Sequence, residues 1–382
     1  MNASDKPSGK MIAFCGTRGV PANYGGFETT VDEISKRFVK SGYNCVVFCR
    51  ESAGREMHKH NEGRRLVCVK GSSLRTLDTF VSACQTGVHL LRHRRKYDYV
   101  FWFNNANLPG ILCTLLARLP MSVNTNGLEW RRRKWKWPFK VYYFLGSLII
   151  ARLCRSVISD SLGVQSFYKE VFGKDTHFVP YGISQEREVP PEKQSSVLDK
   201  YRLDSGRYLL QITRFEPDNL PLESVMAFRN AGLAQKGLKL LLVGYKEDHP
   251  YARRIKAMSG MDGVLVAGAV YDAEVLSVLR KNCFFYVHGN MVGGTNPALL
   301  EAMAACPRIL AVDVEFSREV LGDSAHFFSP HDMTASFRKG MDYPDKTALL
   351  QERVHARYQW DAVAESYMRL VEGQPADYSP ST

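Results

Sequence analysis

Short apolar runs alternate with helix-length segments along most of the chain, and this alternation restricts the possible folds more than any other feature. Ten runs have the length and composition of buried strands, at residues 11–15, 45–49, 66–69, 99–103, 156–159, 208–212, 238–243, 264–267, 283–287 and 308–312. Between the first two runs, Phe27, Val31, Ile34 and Phe38 stand at helical spacing. Strands that alternate with helices form parallel sheets covered on both faces. The sequence therefore predicts an α/β protein with doubly wound sheets.

The length of the chain predicts two domains. Its 382 residues exceed the size at which a single hydrophobic core usually stops growing. Residues 190–196 interrupt the alternation with a stretch of Pro, Glu, Lys, Gln and Ser. We place the boundary close to this stretch, which gives an N-terminal domain of residues 1–185 and a C-terminal domain of residues 186–382.

The composition limits the class of protein and its partners. With 45% hydrophobic and 24% charged residues, it is typical of a soluble globular protein. The formal net charge of +12 predicts an anionic partner, which could be nucleic acid, a phosphorylated substrate or an acidic membrane surface. The nine cysteines have neither zinc-type nor disulfide spacing, and the polar N-terminus lacks the apolar stretch of a secretory signal. We therefore expect a cytoplasmic protein, and no apolar run reaches membrane-spanning length.

The strongest local signal for a binding site is a strand, a glycine loop and a helix that follow one another in the C-terminal domain. Gly293 and Gly294 allow the backbone to approach a ligand closely, Asn296 suits an N-cap, and Pro297 suits the first helical position. The amides and the positive end of this helix suit the phosphates of a nucleotide, and Glu301 would accept hydrogen bonds from ribose hydroxyls. The alternative is a well-capped structural helix with a solvated Glu301.

A second glycine loop follows the first predicted strand and leads into the first predicted helix. Gly16 and Gly19 are not followed by a third glycine at the dinucleotide spacing, and Arg50 stands where an acidic residue would bind ribose. The sequence therefore disfavours an NAD-linked dehydrogenase. Gly25 and Gly26, at the helix start, could bring amides to a phosphate or sugar, or could only shape the turn.

Polar and aromatic residues follow a further short strand, predicted over residues 122–124. Asn126, Glu129 and Trp130 stand at its carboxyl end, which is the usual ligand crevice in open α/β sheets. Carboxylates and indole faces suit a sugar, so we expect the acceptor here. Arg214, just after the first strand of the second domain, has the guanidinium that suits a diphosphate.

The basic and aromatic residues 131–148 predict a surface partner. The mixture suits an amphipathic segment that lies on an anionic membrane. It would also suit nucleic acid by charge and stacking, or a solvated face backed by a core helix. We expect peripheral binding at the inner face of the plasma membrane and no nucleic-acid partner.

Four motifs together resemble glycosyltransferase family 4, and more narrowly its bacterial rhamnosyltransferase-like branch, over nearly the whole chain. They are GTRGVPANYGGFE at residues 16–28, NGLEWRRRKW at 126–135, RFEP at 214–217 and GGTNP at 293–297, the last followed by Glu301. The resemblance implies the GT-B fold, in which two Rossmann-like domains face a central cleft. The second domain would hold the donor nucleotide, the first would bind the acceptor, and the last helix would cross back to the first.

The resemblance, together with the residue patterns, assigns the expected site residues. Those expected to bind the donor are Gly25, Gly26, Arg214, Asn219, Gly293, Gly294, Thr295, Asn296 and Glu301. Those expected to bind the acceptor are Tyr24, Asn126, Glu129 and Trp130. Those expected to act in catalysis are Glu129, Arg214 and His288.

The chain departs from the family pattern at several of these positions. The wider family has an acidic residue at the position of Gly293, and many relatives carry a Lys near the position of Asn219. The narrower branch often has Asp at Asn126 and His at Asn290. With one carboxylate of the usual pair absent, a double displacement lacks an obvious nucleophile, and transfer on one face of the sugar within an ion pair is favoured. The first-domain carboxylates of Glu28 and Glu129 are candidate bases or acceptor ligands.

These features predict a retaining glycosyltransferase for bacterial surface polysaccharide, such as capsule or lipopolysaccharide. It would move a hexose or deoxyhexose, with rhamnose as one candidate, from a dTDP-, UDP- or GDP-linked donor to a lipid-linked glycan. The family usually needs no metal, so no cofactor is expected, and Arg214 with the helix amides would stabilise the leaving group. The alternative is a non-catalytic module of the same fold that binds a sugar nucleotide or a membrane surface.

Overall fold

Two parallel β-sheets organise the chain in its computed structural model, which describes residues 9–22, 25–51, 59–72, 77–125, 127–133, 135–184, 188–245, 249–376 and 378. The strands are β1 (Met11–Cys15), β2 (Asn44–Arg50), β3 (His60–Asn61), β4 (Arg64–Val69), β5 (Tyr99–Phe103), β6 (Met121–Asn124), β7 (Ser156–Ser159), β8 (His177–Phe178), β9 (Tyr208–Ile212), β10 (Lys239–Tyr245), β11 (Val264–Gly268), β12 (Phe285–His288), β13 (Ile309–Val312) and β14 (His326–Phe328). The helices are α1 (Gly26–Lys40), α2 (Asp78–Arg92), α3 (Leu108–Leu116), α4 (Trp137–Leu153), α5 (Leu162–Phe172), α6 (Pro191–Lys200), α7 (Pro221–Asn230), α8 (Pro250–Lys256), α9 (Ala273–Lys281), α10 (Pro297–Ala305), α11 (Glu315–Leu321), α12 (Met333–Gly340), α13 (Thr347–Arg357) and α14 (Trp360–Val371).

The residues divide into two units, each built on one sheet. The first unit consists of Met1–Trp130, Trp135–Gly182 and Gln359–Pro380. The second consists of Arg131–Lys134 and Ile183–Tyr358. The chain thus passes from the first unit to the second between Gly182 and Ile183.

The first sheet has the strand order β3-β4-β2-β1-β5-β6-β7-β8, and its neighbours are parallel except for the short pair β3 and β4. All five residues of β5 are buried, as expected for a central strand of a sheet covered on both faces. Phe14 of β1 stacks on Phe101 of β5, with ring centroids 5.5 Å apart, and meets Phe38 of α1 edge to face. This aromatic core attaches α1 to the sheet.

The second sheet has the order β11-β10-β9-β12-β13-β14, and all its neighbours are parallel. The winding direction reverses between β9 and β12, so no crossover covers the gap between their carboxyl ends. In open α/β sheets this is where ligands bind. The predicted α/β class with two Rossmann-like sheets is confirmed.

The final helix packs with the first unit. Tyr367 of α14 accepts a hydrogen bond from the amide of Asn124 and lies against Phe101, with ring centroids 5.1 Å apart. Trp360, at the start of the helix, is buried beside Gly182, where an added Cβ would lie 2.6 Å from the indole. These contacts make α14 part of the hydrophobic core of the first unit.

Most predicted strands are found within one or two residues of their expected ends. The short strands β3, β8 and β14 were not predicted, because runs of two or three residues carry no usable periodicity. Their pairing is decided by the neighbouring strand and not by their own sequence.

A fully buried arginine joins α1 to β4 in the first unit. Arg64 forms an ion pair with Asp32 and also donates to the Ser35 hydroxyl at 3.1 Å. Asp32 is itself mostly buried. Because a charge inside a protein is costly unless it is paired, this pair makes the packing of α1 sensitive to the loss of either residue.

We predict that Arg64→Ala lowers the free energy of unfolding by about 3–5 kcal/mol, because it leaves the Asp32 carboxylate buried without its main partner. Lys169→Ala is the control, since it breaks an exposed ion pair with Asp175 and should cost at most about 1 kcal/mol. Urea unfolding followed by circular dichroism measures both. Equal losses for the two variants would contradict the assigned role of Arg64.

Candidate functional site

The loop between β12 and α10 has the helix-start geometry expected from the sequence. Asn296 is the N-cap of α10, and its side-chain oxygen accepts a hydrogen bond from the N–H of Ala298 at 2.9 Å. Pro297 occupies the first helical position, so the predicted cap is confirmed. Gly293, Gly294 and Asn296 are partly exposed, while Thr295 is buried. The loop therefore presents backbone at the surface beside a helix N-terminus, which favours an anion.

Glu301 is half-exposed and held in position by a residue on the neighbouring helix. Arg280 of α9 is buried and donates a hydrogen bond to one carboxylate oxygen of Glu301. A merely solvated Glu301 is therefore not what the structure shows. Arg280 was not predicted from the sequence, because an arginine on a helix has many possible partners and Glu301 lies 21 residues away in the chain.

The turn after β9 carries Arg214 and is shaped by buried amides. The side-chain nitrogen of Asn219 donates to the carbonyl of Arg214 at 2.9 Å, and that of Gln211 donates to the carbonyl of Asn219 at 2.9 Å. The side-chain oxygens of Gln211 and Asn219 are buried, and within the described chain neither has a hydrogen-bond partner. Asn219, expected to contact the donor, is thus almost fully buried and supports the Arg214 turn from inside.

The turn after β9 and the loop after β12 are packed directly together. A Cβ on Gly289 would lie only 2.4 Å from the carbonyl oxygen of Asn219, so the contact requires glycine. Thr213 donates to the side-chain oxygen of Asn290 at 3.2 Å, and the N–H of Met291 donates to the carbonyl of Asp218 at 2.9 Å. The structure therefore brings Arg214 and the loop before α10 to the same edge of the second sheet.

His288, at the end of β12, is buried. Burial lowers the pKa of its imidazole to about 4. The ring is therefore neutral at pH 7, and it can donate or accept a hydrogen bond but cannot supply positive charge to a leaving group. Its catalytic role remains a prediction.

The basic part of the middle motif packs with the second unit, which corrects the assignment of all residues 1–185 to one domain. The N–H of Arg133 donates to the buried carboxylate of Asp218 at 2.8 Å, and its Nε lies 3.7 Å from the other oxygen. Arg132 lies 3.9 Å from the carboxylate of Glu216. Two acids on the β9–α7 turn thus attract this segment. Arg132 is only 8% exposed, so its side chain is not on the surface of the basic segment that was expected to meet a membrane.

The rest of the middle motif belongs to the first unit. Glu129 accepts a hydrogen bond from the indole N–H of Trp135 at 2.9 Å. Trp130 is half-buried against Phe144 and Phe167, with ring centroids 5.5 and 5.4 Å away. Much of its ring is therefore used in packing, and acceptor binding by Glu129 and Trp130 remains a prediction. The other two expected acceptor residues, Tyr24 and Asn126, lie outside the described residues.

The N-terminal glycine loop is closed by Glu28. Its carboxylate accepts a hydrogen bond from the N–H of Arg18 at 3.0 Å. Gly25, just before α1, has φ 96°, and a Cβ there would lie 2.6 Å from the same carboxylate. Gly26 is the first residue of α1. Glu28 thus has a structural role in the loop, and donor contacts by Gly25 and Gly26 remain predictions.

A buried acid that was not predicted follows β7 in the first unit. Asp160 is buried and accepts a hydrogen bond from the Tyr181 hydroxyl. The burial of Tyr181 is the main cause that raises its pKa well above the usual range, and the negative charge of Asp160 is the next. Nothing in the local pattern distinguishes Asp160 from an ordinary N-terminal helix residue. Across the part of the chain that is described, no three His, Cys, Asp or Glu side chains cluster in a way that could hold a metal ion.

Sequence comparisons find matches over part of the chain. Residues 10–184 match the family model described as a domain of unknown function, DUF1972. Over 216 residues the chain is 27% identical to the phosphatidyl-myo-inositol mannosyltransferase of Mycolicibacterium smegmatis, and the match covers 53% of each protein. The chain thus matches about half the length of that relative.

The fold as a whole is similar to solved structures. Sucrose-phosphate synthase from Thermosynechococcus elongatus has a TM-score of 0.76 at 16% identity, covering 95% of this chain and 98% of the other. Anabaena Alr3699/HepE, solved in complex with UDP and glucose, has a TM-score of 0.69 at 13% identity, covering 95% and 99%. The chain therefore has the GT-B fold of glycosyltransferase structures, as predicted.

We predict that His288 makes the protein less stable in acid. Between pH 6.5 and about 4 the unfolded chain binds a proton at this residue and the folded chain does not, so stability falls as pH falls through this window. The full effect is about 3 kcal/mol. Urea unfolding at pH 7 and pH 4 should show a smaller difference for His288→Gln than for the natural chain. Parallel pH profiles would contradict the buried, neutral state of His288.

Proposed function

We propose that this protein is a glycosyltransferase that takes its sugar from a nucleoside diphosphate donor bound by the second unit. One observation carries the proposal: Arg214 follows β9 and the N-terminus of α10 follows β12, so both lie at the reversal point of one parallel sheet, and Glu301 of α10 is oriented by Arg280. The match to a mannosyltransferase and the GT-B fold support it. The fold alone would leave the function open, because one fold serves many functions.

Each part of the donor has a group of suitable chemistry. The amides before α10 and the guanidinium of Arg214 suit the diphosphate. Glu301 suits two neighbouring ribose hydroxyls, because a carboxylate accepts two hydrogen bonds at once. Arg280 orients this carboxylate from the protein side. A buried, neutral His288 suits a hydrogen bond to a sugar hydroxyl.

The proposed reaction replaces one bond at the anomeric carbon by another. The bond from this carbon to the diphosphate oxygen breaks, and a bond to an acceptor hydroxyl oxygen forms on the same face, so the configuration is retained. The acceptor proton passes to the departing diphosphate oxygen. Arg214 and the helix amides stabilise the charge that develops there, which is the main way in which such sites lower a barrier.

We further propose, from the resemblance to family 4 and its rhamnosyltransferase-like branch, that the sugar is a hexose or deoxyhexose such as rhamnose. The acceptor would be a lipid-linked glycan of a bacterial surface polysaccharide, at the inner face of the plasma membrane. Within the described helices, none is long and apolar enough to cross a bilayer. Trp137, Val141 and Leu145 nevertheless form an exposed apolar stripe along α4, with exposed Lys136 beside it. This stripe suits the interface of an anionic membrane.

We predict that Glu301→Ala weakens binding of the cognate nucleoside diphosphate by about 1.5–3 kcal/mol, the range for a hydrogen bond to a charged group. A thermal-shift panel of uridine, thymidine, guanosine and adenosine diphosphates identifies the base, and calorimetry then measures the dissociation constant. Glu274→Gln, which removes another ion-paired carboxylate of the second unit, is the control. Glu301→Ala should bind a nucleotide analogue with a dideoxyribose as tightly as the natural chain does, because that analogue lacks both ribose hydroxyls. Equal weakening for both nucleotides would remove Glu301 from the ribose site.

Turnover distinguishes an enzyme from a binding module of the same fold. The identified sugar nucleotide is incubated with lipid-linked acceptors, and release of the nucleoside diphosphate is measured. Nucleotide binding without release on any acceptor would favour the non-catalytic module.

We predict that the double variant Trp137→Ser and Val141→Ser lowers binding to phosphatidylglycerol-containing vesicles at least about tenfold, since two large apolar side chains no longer insert. Cosedimentation measures the bound fraction. Leu349→Ser removes an exposed leucine of the second unit and should leave binding unchanged. Sedimentation of the double variant equal to that of the natural chain would argue against α4 as the membrane contact.

A further inference from the structure

One carboxylate lies between two guanidinium groups beside the loop before α10. Glu216 is 3.9 Å from Arg132 through one oxygen and 3.7 Å from Arg214 through the other. Glu216 and Arg132 are mostly buried, while Arg214 is about half exposed. Two guanidinium groups thus lie within ion-pair distance of one carboxylate, and the group stands in a place with limited solvent. An anion that enters there interacts with it more strongly than at an open surface.

Arg132 points toward the glycine loop. Its guanidinium lies 3.9 Å from the point that a Cβ on Gly293 would occupy, and around that point no other described group beyond the adjoining residues comes within 4 Å. Because Gly293 has no side chain, an open space remains beside it. The Arg132 guanidinium lies on one side of this space, and the loop that leads to the N-terminus of α10 lies on the other. Both borders are electropositive, so this space favours negatively charged oxygens.

The position of Arg132 is held by its neighbour in sequence. Arg133 is anchored by its own N–H to the buried Asp218, whose carbonyl accepts the N–H of Met291 at the start of the glycine loop. The β9–α7 turn, the arginine segment and the loop before α10 are thereby connected through one residue. Arg132 is consequently preorganised, and less conformational freedom is lost when it binds a ligand.

We propose that Arg132 and Arg214 form a clamp for a diphosphate, with Glu216 as the positioning carboxylate between them. Two planar guanidinium groups offer paired N–H donors, and a diphosphate offers oxygens on two phosphorus atoms. The clamp adds detail to the proposed function. That the bound diphosphate is part of a sugar nucleotide rests on the proposed function. It assigns a donor-binding role to a residue of the middle motif, whose other residues were expected to meet the acceptor.

The test uses calorimetry on the full chain with inorganic pyrophosphate and inorganic phosphate, which need no recognition of base, ribose or sugar. Arg132→Gln should weaken pyrophosphate binding at least about tenfold and phosphate binding much less. Arg132→Lys, which keeps the charge without the fork, should bind with intermediate affinity. Arg131→Gln removes the same charge from an exposed neighbour and serves as the control. Thermal unfolding verifies that each variant is folded. If Arg132→Gln does not fold, Arg132→Lys is used to test the clamp in its place.

The outcomes separate the clamp from the proposed function. Unchanged pyrophosphate affinity in Arg132→Gln would overturn the clamp, as would equal losses in Arg131→Gln and Arg132→Gln, which indicate only a general charge effect. Pyrophosphate binding that depends on Arg132, in a protein that binds no sugar nucleotide, would support the clamp while the proposed function fails. No binding of pyrophosphate or of any nucleoside diphosphate to the natural chain would overturn both.

Discussion

The parallel pairing of β9 with β12 is the constraint on which the candidate site depends. These strands are separated by two others in sequence, yet they are neighbours at the reversal point of the second sheet, so their carboxyl ends lie side by side. Gly289 lies against the carbonyl of Asn219 because it has no side chain. The Arg214 turn and the loop before α10 are therefore held together by backbone contacts, and the buried side chains of Gln211 and Asn219 support the turn.

Charge separates the arginines of the middle motif from the helix that follows them. Asp218 and Glu216 are acids at a mostly buried position, and they attract Arg133 and Arg132 into the second unit. The helix that follows, α4, keeps its exposed apolar stripe in the first unit. The basic and aromatic residues that resemble one membrane-binding stretch in sequence therefore separate into an arginine segment of the second unit and a helix of the first. The reason is that a buried acid binds an arginine more strongly than an exposed surface does.

The roles of several buried residues could not have been found from the sequence. Arg280 orients Glu301 from another helix, and Asp160 is buried at the end of β7. Neither stands in a motif, and their significance depends on which distant residue each contacts. The neutral state of His288 likewise follows from burial, which depends on all the elements packed around it. By contrast, the N-cap Asn296 was predicted correctly, because a cap is a contact between residues two positions apart.

The sequence by itself determined the α/β class, most of the strands and the start of α10, since these depend on local periodicity and on contacts between near neighbours in the chain. It also indicated the loops that carry Arg214 and Gly293, because glycine and polar residues after a strand are a local pattern. Only the tertiary structure decided that Arg132 joins the second unit and which residues hold α14 in the first, although the family resemblance had implied that this helix crosses back. Those outcomes depend on buried ion pairs and aromatic packing between residues far apart in the chain, and no local pattern records which partner will be nearest.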